Sequence, residues 1–264
     1  MSSAAVLNYK ISILQGVLAF VSVMLFLFHI RVLDESRDFK SDALNTPDSP
    51  VHNGTISLRQ LLFVDFFGIV LLVGVSAYIG KYAIAVLTAI FIFTAFAWKD
   101  FFLKKSIRKS KVLYHIINSP QMLLLHLFIF VAFTGNFYLD TKMWLLMAFA
   151  YSNIFVLEVS RKISTDQERP DFKDTYNAKM GLKASVLLTY LLSLISIAFA
   201  LLINLNQEVR LLYYLFLYFL LVSMVSYSCF SFVKSGGLIG GKRFILSSVL
   251  LYLALNILIC IAAL

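Results

Sequence analysis

The sequence predicts an all-α integral membrane protein, a bundle of about eight transmembrane helices. Three observations carry this. The 264 residues are 60% hydrophobic, with mean hydropathy +0.86. A spanning helix takes about 20 mostly apolar residues, so the chain has material for about eight spans and little else. Charged residues make up 14%, against roughly a quarter in soluble domains. The apolar residues also fall into long stretches whose polar connections are alternately long and short. Together these exclude a cytosolic enzyme, a disordered chain and a disulfide scaffold.

The first stretch, Ile11–Ile30, has spanning length, and Met1–Lys10 before it lacks the basic start of a cleaved leader. Beyond it a helix is expected to continue through Arg31, Asp34, Glu35, Arg37, Asp38, Lys40 and Asp42. Asp34, Asp38 and Asp42 then share one face, successive ones roughly 6 Å apart. Such a row of like charges suits a divalent cation; a solvated helix face offset by Arg31, Arg37 and Lys40 is the plainer alternative. The second and third stretches are Leu58–Ile79 and Tyr82–Phe102. Asp65 in the second reads first as a buried polar contact. Phe63, Phe66, Phe67, Phe91, Phe93 and Phe96 read as rings facing lipid or packed between helices.

Met122–Leu139 and Met143–Val159 come next. Glu158 lies just inside the end of the latter, a depth at which acidic residues usually face a cavity and serve function. Arg161 and Lys162 follow one turn on, then Asp166, Glu168, Pro170, Asp171 and Asp174. Ala184–Asn204, Leu211–Val233 and Phe244–Leu264 complete the eight. The connection carrying Gly236-Gly237 and Gly240-Gly241 reads as a flexible turn without a phosphate-loop signature. Cys229 and Cys260 read as two packed thiols. The chain reads as one transmembrane domain, residues 1–264.

Charge distribution orients these spans. The long connections carry nearly all the lysines and arginines; Lys10, Lys81, Lys142 and Arg210 are the four on the other side. This bias predicts that the long loops are cytoplasmic and the chain multi-pass in a cell inner membrane. The +9 net charge therefore points to anionic lipid or phosphate, with no nucleic-acid partner.

The two acidic clusters resemble the motifs of the UbiA superfamily of intramembrane prenyltransferases. That family carries N-x-x-x-D-x-x-x-D or D-x-x-x-D-x-x-x-D after its second helix and usually D-x-x-x-D after its sixth. The first motif is matched by Asp34, Asp38 and Asp42, with Pro50, Gly54 and Ile56 in the continuation. The other motif has a looser counterpart, which resembles a variant branch and is carried by Glu158, Arg161, Lys162 and Asp174-Thr175-Tyr176. Trp98-Lys99-Asp100-Phe101-Phe102 is similar to the same branch. The resemblance covers nearly the whole chain.

It implies a helical bundle with a cytoplasmic polar cap over a central cavity, and Mg²⁺-dependent transfer of a prenyl group from an allylic diphosphate. Asp34, Asp38 and Asp42 would hold one Mg²⁺, and Glu158 with Asp174 a second. Arg31, Lys99, Arg161 and Lys162 would neutralise the diphosphate, and Tyr176 would orient a substrate. The partners implied are a prenyl diphosphate, an aromatic or hydroxyl acceptor that is lipophilic, and membrane lipids. Three departures stand out. Eight stretches are present where the family has nine helices, which implies a missing first helix. Ser49 stands where the family usually has an arginine. Glu158 and Lys162 stand where it has two aspartates, and lysine cannot bind a cation. A divalent-cation transporter and an inactive member of the fold are the alternatives.

Overall fold

The computed structural model describes residues 12–45, 49–102, 111–137, 141–163, 175–205, 211–235 and 237–262; a few side chains at helix ends, Asp42 among them, lie outside the description. The described residues form helices and no strand: α1 Ile13–Asn45, α2 Leu58–Ile79, α3 Lys81–Trp98, α4 Lys111–Asn118, α5 Pro120–Thr134, α6 Thr141–Arg161, α7 Tyr176–Met180, α8 Leu182–Leu205, α9 Leu211–Ser235 and α10 Leu238–Ala262. Eight of their segments are long and apolar enough to cross a membrane, and the protein is integral and multi-pass.

The helices divide between two compact units, one spanning Ile11–Phe137 and the other within Tyr138–Leu264. In the first, α1 packs on α2, α2 on α3, α3 on α5, and α5 returns to α1. Gln15 of α1 donates to the Phe133 carbonyl of α5 at 3.4 Å, joining the first turn of one to the last turn of the other. In the second, α6 packs on α8, α8 on α9, α9 on α10, and α10 returns to α6.

Small polar residues make the tightest of these seams. Ser185, Thr189, Ser193, Ser196 and Ala200 form one buried stripe along α8. Apolar burial drives little helix association inside a bilayer, so seams favour side chains that let backbones approach. The hydroxyls of Ser185, Thr189 and Ser193 satisfy themselves on carbonyls one turn back, at 2.8–3.0 Å. On α2 the buried residues are Asp65, Leu72 and Ser76, a narrow stripe. The outward Phe63, Phe66, Phe67 and Phe96 are exposed, while Phe91 and Phe93 are half-buried.

Helix ends follow local chemistry. Ser57 and Gln60 form a reciprocal capping box at the start of α2, which satisfies two otherwise orphaned amides. Pro120 occupies the first turn of α5, and Gly135 ends that helix in the left-handed region at φ +68. Three departures from the sequence expectation have physical causes. The third stretch stops at Trp98 because Phe101 and Phe102 turn left-handed, at φ 50 and 60. The fourth is preceded by the short α4 and restarts at Ser119-Pro120, since proline cannot continue a helix interior. Gly240 and Gly241 lie inside α10, not in a turn. A Cβ on Gly240 would come within 2.5 Å of the Ser235 hydroxyl, so glycine lets α10 start close under α9.

Candidate active site

α1 runs 33 residues, about 50 Å at 1.5 Å per residue. That exceeds a hydrocarbon core of about 30 Å, so its last turns project beyond the membrane and carry the acidic stripe. Arg37 joins the first two members: its guanidinium reaches Asp34 Oδ1 at 2.9 Å and Asp38 Oδ2 at 2.8 Å. The Arg37 side chain is 17% exposed, Asp38 30% and Asp34 43%. The Asp42 side chain lies outside the described residues. Arg31 donates to Glu35 at 3.0 Å, and Glu35 is buried where Arg31 is mostly exposed.

The loop after the motif is pinned back on α1. His52 stacks on Phe39 with ring centroids 4.9 Å apart. Its Nε2 donates to the Phe39 carbonyl at 2.8 Å, so its Nδ1 accepts from the Ser49 hydroxyl at 2.7 Å. Ser49, which stands where the resembled family has an arginine, therefore orders the turn beneath the acidic stripe. Glu35, Ser49 and His52 were not candidates from sequence. The Arg31–Glu35 spacing of one turn was the available signal for the first; nothing local marks a stack between residues thirteen positions apart.

The second cluster gathers in the other unit. Glu158, on the last turn of α6, has one oxygen 2.6 Å from Arg161 and the other 2.8 Å from Lys162. The Tyr176 amide donates to the Lys162 carbonyl at 3.0 Å, and Thr175 caps the short α7 by accepting from Ala178. This fold-back brings Tyr176 to Glu158. Burial, and next the negative charge of Glu158, push the Tyr176 phenol above its ordinary range, so it stays a neutral hydroxyl. The structure thus brings Glu158, Arg161, Lys162 and Tyr176 together. Asp174 and Glu168 lie outside the described residues. Lys99 lays its ammonium 4.0 Å from the Trp98 ring centroid.

Among the described residues no group of three or more His, Cys, Asp or Glu could hold a metal. The chemistry of Asp34 and Asp38 still suits Mg²⁺, which is commonly held by one or two carboxylates together with waters and substrate phosphates. Glu158 has both oxygens on cations, which suits a different role. Its ion pairs hold the Arg161 and Lys162 donors side by side.

No family model matches this sequence, and no curated protein matches it. Solved membrane-protein structures do. A digeranylgeranylglyceryl phosphate synthase is 18% identical with TM-score 0.70, over 99% of this chain and 90% of that one. A UbiA homolog from Aeropyrum pernix K1 is 15% identical with TM-score 0.71, over 99% and 93%. A UbiA homolog from Archaeoglobus fulgidus, bound to DMAPP and Mg²⁺, is 14% identical with TM-score 0.63, over 98% and 92%. From end to end, this chain has the fold of the UbiA homologs.

Proposed function

We propose that this chain is an intramembrane prenyltransferase, moving a prenyl group from an allylic diphosphate to an aromatic or hydroxyl acceptor. One observation carries the reading. The acidic stripe of α1 projects from a fold shared, over nearly the whole chain, with a homolog bound to DMAPP and Mg²⁺. Asp34 and Asp38, joined by Asp42, are the proposed carboxylates for Mg²⁺, with Asp174 proposed as the carboxylate that the second cluster adds. Bound Mg²⁺ supplies charge neutralisation to a leaving diphosphate.

The chain's own residues do the rest in this scheme. Arg161 and Lys162, held by Glu158, take phosphate oxygens, and Arg31 and Lys99 add positive charge. Tyr176 offers a neutral hydroxyl donor from a buried site beside Glu158. The ion pairs of Glu158 favour its role as organiser of these cations over a role as metal ligand. The long basic loops, and with them both clusters, are proposed to face the cytoplasm of a cell inner membrane.

The test uses purified protein in detergent with farnesyl or geranylgeranyl diphosphate, Mg²⁺ and a lipid extract. Diphosphate release that needs Mg²⁺ is expected, and Asp38→Asn should lower it at least a hundredfold. Full activity in that variant would defeat the assignment. No release by the wild-type chain, together with Mg²⁺ flux into proteoliposomes, would move the protein to the transporters.

A further inference from the structure

We infer that the groove between α9 and α10 binds one anionic phospholipid, from the leaflet on the side of the basic loops. The groove lies wholly in the second unit and encloses about 710 Å³. It runs from Ser235 and Gly237 at its mouth to Met224 and Leu250 at its inner end. Met224 to Ser235 is eleven residues of helix, about 16 Å of rise. Half of a hydrocarbon core is about 15 Å. The groove therefore spans one leaflet and stops near the midplane, which matches an acyl chain. A helix from a second copy of this chain would run the full thickness and require a longer seam.

Its lining changes character along that length. Met224, Leu246 and Leu250 make the inner part apolar, while Ser235 and Arg243 stand at the outer part. The Ser228 and Ser247 hydroxyls meet across the two helices at 2.7 Å, tying the walls together and satisfying each other. Arg243 has no carboxylate partner among the described residues, and Lys234 and Lys242, both exposed, flank the same end. Lysine and arginine at headgroup depth attract anionic lipid. Among the described residues the charged groups at the mouth are cations, so a phosphodiester with net negative charge complements it and a zwitterionic headgroup does so less.

Native mass spectrometry of the purified chain, offered equimolar phosphatidylglycerol and phosphatidylcholine, tests this. One bound phosphatidylglycerol is expected, preferred about fivefold over phosphatidylcholine, the factor expected of one arginine near a membrane surface. Arg243→Gln should erase the preference. Ser231→Phe, which fills the groove, should lower retention of both lipids. Neither change touches the proposed catalytic clusters, so diphosphate release should persist in both variants, and the two readings can fail separately. Equal retention of both lipids by the wild type, or a preference surviving Arg243→Gln, would overturn the inference. So would displacement of phosphatidylglycerol by glycerol phosphate alone, which would mark a site for soluble phosphate. A lipid-free dimer shielding the groove would overturn it as well.

Discussion

His29 and Asp65 are an ionisable pair buried in the membrane-spanning part of the first unit. His29 Nδ1 meets Asp65 Oδ2 at 2.8 Å, and Phe91 covers the ring edge-on at 5.6 Å. Asp65 Oδ1 is buried and has no hydrogen-bond partner among the described residues. Removing one partner of such a pair strands the other away from water. Asp65→Ala and His29→Ala should each cost about 2 kcal/mol, and the double variant clearly less than the sum, since it strands neither group. Thermal unfolding in detergent measures the cycle, and additive losses would show that the contact contributes nothing. Glu158 and Asp34 separate by a different measurement. Glu158→Gln should raise the KM for prenyl diphosphate about tenfold while the Mg²⁺ concentration for half activity stays put. Asp34→Asn should shift the Mg²⁺ requirement instead. A Mg²⁺ shift in Glu158→Gln would return that residue to the metal ligands. Sequence pattern located both acidic clusters, because charge is rare in this chain and each occurrence is conspicuous. It named Arg37 among the cations that offset the acidic row but not that it bridges Asp34 and Asp38, and it did not find the His52 stack, because both depend on how a side chain turns once the helix has formed.

Helix ends are where local chemistry and membrane packing can be weighed against each other. The capping box of Ser57 and Gln60 lies at an exposed end of α2, so packing does not mask it. Ser57→Ala should cost about 1 kcal/mol. Gly135 ends α5 at φ +68, with its amide 2.8 Å from the Val131 carbonyl and nothing near a would-be Cβ. Gly135→Ala should also cost about 1 kcal/mol, from backbone strain alone. Chemical denaturation in mixed micelles checks both, and a loss near zero in the glycine variant would argue that the turn adjusts freely. The same contrast explains which boundaries could be read in advance. Leu58–Ile79 was legible to the residue because Ser57 and Gly80 punctuate it. The start of α10 was missed because two glycines read locally as a turn. At Gly240 the nearby Ser235 and Phe232 side chains leave little room for a Cβ, a tertiary fact.

The two units share one plan. Each is four spanning helices in a closed order of contacts, and each carries its charged cluster at the end of its first helix. No repeat is visible in the residues, because helix seams in a bilayer need small or apolar side chains at the right period and accept many sequences. Within the first unit the path alternates: α1 ends, and α2 begins, on the side of the acidic stripe, while α2 and α5 both end on the other. Thr55 and Asn136 are therefore exposed loop positions at opposite ends of the same unit. The orientation proposed from the basic bias of the long loops puts the Thr55 end in the cytoplasm. Single cysteines introduced at these positions, in a chain whose Cys229 and Cys260 are replaced by serine, make the assignment measurable. A membrane-impermeant thiol reagent added to intact cells should label Asn136→Cys and spare Thr55→Cys until the membrane is opened. The proposed chemistry needs this sidedness, since a water-soluble diphosphate head and its Mg²⁺ must be reached from the compartment where they are made. Labelling of Thr55→Cys in intact cells would place the acidic stripe outside and remove the substrate from its reach.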